Sequence, residues 1–108
     1  MMRKQFDVYR NNSPTTRNSI PFYLIVQHDF YADLSTRVII PLVRNSRAPC
    51  WADSVVPRVN IEFEKLMLHA PMMTHLETTK IREKDFVCNL RAERNRIVNS
   101  IDALITNI

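Results

Sequence analysis

Apolar and polar positions change their rhythm along the chain, and the change predicts strands first and a helix last. Residues 22–26 form an unbroken apolar run rich in aromatic and branched side chains, and residues 38–40 form a second run, ended by Pro41. Both have the length and composition of buried strands, and the connection between them offers Asp29, Asp33 and Ser35 as turn formers. Two strands folded back on each other are therefore expected over residues 21–42. Residues 5–10 alternate, with Phe6, Val8 and Arg10 to one side and Asp7 and Tyr9 to the other. Residues 58–63 alternate too, Val59, Ile61 and Phe63 against Arg58, Asn60 and Glu62, and shorter runs follow at 66–69 and 74–81. Short strands in series, separated by turn signals, predict a small barrel or a strongly bent sheet. Pro41 and Pro57 are expected at strand ends, where a missing N–H costs little.

From Asn89 onward the period lengthens. Asn89 is a suitable N-cap, and apolar residues follow at Leu90, Ile97, Val98, Ile101, Leu104, Ile105 and Ile108; from Ile97 they keep the spacing of one helix face. Arg91, Arg94 and Arg96 crowd the first turns, where they oppose the helix dipole, and Glu93 offsets them only in part. Packing of the Ile/Leu stripe is expected to carry the helix, since burying each such side chain contributes about 1.5–3 kcal/mol.

Phe30 and Tyr31 interrupt an otherwise polar loop. Two adjacent large aromatics in such a place imply packing on the barrel or contact with a partner.

Composition narrows the function. A chain of 108 residues is expected to form one domain, and its 45% apolar and 24% charged residues are those of a soluble globular protein. The basic start of the chain is followed by no apolar segment of the kind a secretory signal needs, and no run is long enough to span a bilayer, so a cytoplasmic location is expected. The sequence has no glycine. That excludes glycine-rich phosphate loops and glycine-dependent oxyanion turns, and leaves turns to Asn11-Asn12, Pro14, Asp33, Asn45-Ser46, Pro49, Pro57 and Pro71.

The formal charge of +4, from 15 Lys and Arg against 11 Asp and Glu, is compatible with nucleic-acid binding. The basic residues are scattered, however, and no aromatics interleave with them, so a solvated basic face is the better reading. Cys50 and Cys88 are far apart, and neither they nor His28, His69 and His75 show metal-ligand spacing; two free thiols are expected. No nucleophile–base–acid signature accompanies Cys50, and the carboxylates at Glu62/Glu64 and Glu83/Asp85 read as surface charges beside lysines. Met67, Met72 and Met73 read as core or interface filling. No catalytic residue, cofactor or metal site is expected.

The order of three segments resembles the CcdB family of toxins from toxin–antitoxin systems. They are QFDVY at the start, QHDFYADLSTRVIIPL in the middle and the helix IVNSIDALITNI at the end; the middle one is the most specific, a Gln-x-Asp, a loop, then Arg-x-x-Ile-Pro-Leu. Residues 43–58 match poorly. The resemblance implies a mainly β fold, a small SH3-like β-barrel with a C-terminal α-helix, paired as a homodimer with the methionine region near its interface. It implies a protein that binds DNA gyrase, at gyrase A, and traps the cleaved-DNA complex, with no catalysis of its own. A CcdA-like antitoxin would remove it and, together with it, occupy operator DNA as a repressor. Gyrase contact is implied for Phe30, Tyr31, Asp102, Ile105, Thr106, Asn107 and Ile108. The best-known toxin ends in Trp-Gly-Ile where this chain has Thr106-Asn107-Ile108. Asn is a mild replacement for Gly at a helix stop, whereas Thr for Trp removes an anchor of the kind worth about 2 kcal/mol or more. Two other readings follow from the same residues: a MazF-like endoribonuclease, disfavoured by the absent glycine and dispersed arginines, and a degenerate homologue that binds antitoxin without poisoning gyrase.

Overall fold

The computed structural model describes residues 3–44 and 56–106. The expected turns at Asn45-Ser46 and Pro49, the thiol of Cys50, Trp51, and the terminal Asn107 and Ile108 lie outside the described residues.

Seven strands form one curled antiparallel sheet: β1 (Asp7–Arg10), β2 (Phe22–Ile25), β3 (Thr36–Arg44), β4 (Arg58–Ile61), β5 (Glu64–Leu68), β6 (Thr74–Glu77) and β7 (Phe86–Asn89). A single α-helix, α1 (Arg94–Ile105), closes the described chain. The strand order is β4-β5-β3-β2-β1-β7, with β6 also on β3. The fold is thus a half-barrel with a C-terminal helix, in line with the mainly β reading of the sequence.

The two apolar runs pair as expected, Phe22 opposite Leu42 and Ile25 opposite Ile39. They lack polar alternation because the sheet is buried on both faces. Phe6, Val8, Phe22, Leu24, Ile40, Leu42, Val59, Ile61, Leu66 and Leu68 fill the principal core, and Ile97 of α1 joins them. The opposite face of the same strands buries Tyr9, Tyr23, Ile25 and Ile39 against Ile81. The alternation read in β1 holds: Phe6 and Val8 enter the principal core, Arg10 lies over the Phe22 ring at 5.6 Å, and Tyr9 enters the second core. Asp7, on the Tyr9 side, is buried and accepts hydrogen bonds from the Lys4 N–H (2.8 Å), the Asn89 amide (2.9 Å) and the Tyr9 hydroxyl (3.3 Å). Those three donors stand in for the water a buried carboxylate loses.

Four expectations need correction. Pro41 does not end its strand; β3 runs through it to Arg44. The break falls instead among the partners: residues 36–39 pair with β6 and residues 42–44 with β5. The Pro41 carbonyl accepts from the His69 N–H at 3.0 Å on that side, so the proline lacks a donor where the partner strand changes. Second, Phe63 does not continue the alternation of β4. Ile61 pairs with Glu64, leaving Glu62 and Phe63 as a two-residue hairpin loop with φ of 50° and 68°. Phe63 is fully exposed.

Third, Asn89 ends β7 and is not an N-cap: its side chain accepts from the Arg91 N–H at 2.8 Å, while Leu90 occupies the cap position of the 3-10 turn Arg91–Glu93. The α-helix proper begins at Arg94 with no side-chain cap. The helix stripe is also only half used: Ile97 is fully buried, Val98 and Ile101 are partly buried, and Leu104 and Ile105 are exposed. Fourth, Asp85 is no surface charge. It is buried and accepts a hydrogen bond from Asn12.

Candidate partner-binding surface

The connection between β2 and β3 is short of apolar support. None of the residues 28–35 is buried, and Phe30 is 78% exposed, with Tyr31 and Leu34 about half exposed beside it. Asp29–Tyr31 form one 3-10 turn. His28 caps that turn, its Nδ1 accepting from the Phe30 N–H at 2.9 Å, and the Asp29 carboxylate accepts from the Gln5 N–H at 2.8 Å. The Phe30 and Tyr31 rings meet edge to face, 5.1 Å between centroids. The turn therefore presents the aromatic pair outward as one unit, with its backbone tied to the N-terminal segment. Of the two outcomes the sequence allowed, packing on the barrel is not the one adopted.

At the other candidate group, the end of α1, the Thr106 N–H and hydroxyl both bond the Asp102 carbonyl, at 2.8 and 2.7 Å. This closes the last turn and leaves the Asp102 side chain exposed. Ile105 is 69% exposed. An alternative role for Ile105 as a core cap is thereby removed, because a residue so exposed gains little from packing. Among the described residues, no hydrogen bond, ion pair or ring contact joins this group to the Phe30–Tyr31 turn.

Three ion pairs among the described residues are structural. Arg10 binds Glu62 at 2.6 Å, Arg44 binds Glu64, and Arg96 binds Glu93 at 2.8 Å while donating to the Arg58 carbonyl at 2.6 Å. The Glu62/Glu64 carboxylates thus tie the β4–β5 hairpin to β1 and β3, and do not face each other. The Glu64 carboxylate raises the Arg44 guanidinium still further above neutral pH. Burial pushes the Cys88 thiol up, with Glu62 and Asp7 adding to the effect, so it is a poor thiolate. Among the described residues, no cluster of His, Cys, Asp or Glu is arranged to hold a metal ion. Among the described residues, no helix is long and apolar enough to cross a membrane. Met67 is buried against Val43 and Val56, Met73 packs at the edge of the principal core, and Met72 is half exposed.

The exposure of Leu34 and Phe63 and the burial of Arg37 are not signalled by the sequence, although Arg37 opens the Arg-x-x-Ile-Pro-Leu motif. Leu34 lies in the same loop as the aromatic pair and could have been added to it on type alone. Nothing in the alternation of residues 58–63 distinguishes Phe63 from a core position. Arg37 is buried, and only its contacts reveal its use.

The described chain is thus a small curled sheet with a C-terminal helix that presents exposed apolar side chains on an ordered turn. The chain matches the CcdB protein family over residues 5–107, nearly its whole length, and it belongs to that family. Membership makes it the toxin component of a toxin–antitoxin system. No curated protein matches the chain at a significant level.

Proposed function

We propose that the chain is a gyrase poison: as a homodimer in the cytoplasm it docks on gyrase A and holds DNA gyrase in its cleaved-DNA state. The observation that carries this reading is the outward Phe30–Tyr31 pair on its capped turn, in a chain of the CcdB family. Exposed aromatics on an ordered support are the residue types that dominate protein interfaces, because they bring large apolar area at small entropic cost. Asp102, Ile105 and Thr106 at the end of α1, with Asn107 and Ile108 beyond it, form the second part of the contact, and the exposed Ile105 supports that assignment. Thr106 supplies no aromatic anchor, so Phe30 and Tyr31 carry a larger share of the affinity. A CcdA-like antitoxin neutralises the toxin and, in complex with it, binds operator DNA.

The test is cleaved-plasmid accumulation by purified gyrase with ATP. The wild-type chain is expected to cause it. Replacing Phe30 and Tyr31 together by Ala is expected to reduce potency by about thirtyfold or more, the loss of one interface hot spot, with the folded state retained. No accumulation from the folded wild-type protein would overturn the proposal.

A further inference from the structure

We propose that Arg37, with Gln27, is a positioning residue that sets the docking turn in its binding geometry. The Phe30–Tyr31 loop has no buried residue, so the hydrophobic effect does not hold it in place. What holds it is a set of side-chain hydrogen bonds to its backbone carbonyls. The buried guanidinium of Arg37 donates to three of them: Ala32 O at 2.7 Å, Leu34 O at 2.7 Å and Thr36 O at 3.0 Å. The side-chain amide of Gln27 donates to Tyr31 O at 3.1 Å and Thr36 O at 3.3 Å, while its carbonyl oxygen accepts from the Val38 N–H at 3.3 Å. Arg37, from β3, and Gln27, from the bend that follows β2, thus grip the backbone from Tyr31 to Thr36.

The chemistry favours Arg for this task. A guanidinium carries five donors in a rigid plane, so one side chain reaches carbonyls that diverge along a turn; an ammonium has a single donor atom. The bonds are charge-assisted and removed from bulk water, which strengthens them. Gln27 and Arg37 also open the two halves of the Gln-x-Asp…Arg-x-x-Ile-Pro-Leu segment, and Asp29, between them, fastens the near side to Gln5. Four polar residues of that segment, Gln27, His28, Asp29 and Arg37, therefore share one use, which is to order a loop that has no core of its own. An ordered loop binds without the cost of freezing Phe30 and Tyr31 at the interface.

The inference rests on the gyrase reading, and the experiment separates the two. Hydrogen exchange at the Ala32 and Leu34 amides, which close the turn on Asp29 O and Tyr31 O, reports loop order without any partner. Binding to a gyrase A fragment is measured on the same samples. Arg37→Met, of similar length and without donors, is expected to exchange these two amides at least about tenfold faster, while the amides of Leu24 and Ile40 in the sheet stay protected. The same variant is expected to bind gyrase A about tenfold more weakly, as a loop that must order on binding requires. If Arg37→Met does not fold, Arg37→Lys and Gln27→Leu are read in the same way, each removing part of the grip. Unchanged loop exchange in a folded variant overturns the inference. So does faster exchange with unchanged affinity, in which case the gyrase reading stands and only the positioning role falls. A wild-type chain that does not bind gyrase A overturns the reading itself and the positioning role with it.

Discussion

Tyr9 and Tyr23 stack 6.2 Å apart on the second face of the sheet, both buried, and burial is what governs their hydroxyls. Loss of solvent pushes Tyr23 up to about 12, with the Asp85 carboxylate adding to it, and pushes Tyr9 higher still, aided by Asp7. Both groups are protonated in the fold well above the ordinary tyrosine value of 10.0. Their contribution to stability is therefore complete below that value and is lost as the pH rises from it toward about 12. Between those limits the unfolded chain releases protons that the folded one keeps, so each tyrosine lowers stability by up to about 1.4 kcal/mol per pH unit. Urea midpoints at about pH 9 and about pH 11 should differ in that direction, and the difference should shrink on replacing Tyr23 by Phe. A midpoint independent of pH over that interval would remove burial as the cause. Asp85 illustrates what was illegible at this scale. Beside Lys84 and Glu83 it reads as one more surface charge, and only the fold brings Asn12 and Tyr23 to it. Phe30 and Tyr31 were legible as an anomaly, because aromatics in a polar loop have few bland uses.

At the scale of elements, the β4–β5 hairpin accepts a conformational cost. A two-residue loop with both φ values positive has the handedness that matches strand twist, and it usually employs Asn-Gly. This chain has no glycine and places Glu62 and Phe63 there instead. A left-handed backbone costs a non-glycine residue about 1–2 kcal/mol. Phe63 recovers nothing within the chain, since its side chain is wholly in solvent, whereas Glu62 gains the Arg10 ion pair. Phe63→Gly is therefore expected to stabilise the fold by about 1 kcal/mol, after allowing for the greater freedom of glycine in the unfolded chain. The gain should appear as a higher urea midpoint with an unchanged slope. A lower midpoint would mean that Phe63 has native contacts. The hairpin escaped the sequence because periodicity marks where alternation is possible, and a turn without Gly, Asn or Pro carries no local signal. The helix was half legible for a related reason. Its apolar period is continuous, but the sheet covers only the first part of it, so a single stripe divides into a buried Ile97 and an exposed Ile105.

Across the whole molecule, β3 organises the curl. It is the longest described strand, with β2 along one edge and β6 and then β5 along the other, and the change of partner at Pro41 bends the sheet into a half-barrel around the principal core. The described chain leaves Phe30, Tyr31, Phe63 and Ile105 in solvent, none of them part of the principal core. In the proposed function the protein works as a homodimer, and light scattering at micromolar concentration should give twice the chain mass of 12.7 kDa. A mass of one chain would exclude the dimer while leaving the docking turn to be tested by itself. The curled sheet was foreseen in class, from short strands in series, but not in strand order. Order depends on which edges meet, and edges carry the same backbone groups everywhere.

What the sequence by itself determined is local and additive. The apolar runs of β2 and β3, the alternation of β1 and the change of period before α1 follow from side-chain direction along a strand or helix, which no distant contact alters. The polar loop with two aromatics, and the segment that resembles the CcdB family, are likewise properties of neighbouring residues. The tertiary structure alone decided which apolar positions are covered and which polar ones are buried. Ile97 and Ile105 are the same residue type in one apolar stripe, and the packing opposite each decides which is covered. Arg37 and Asp85 are charged residues whose burial is tolerable only because the fold brings carbonyls to one and an amide to the other.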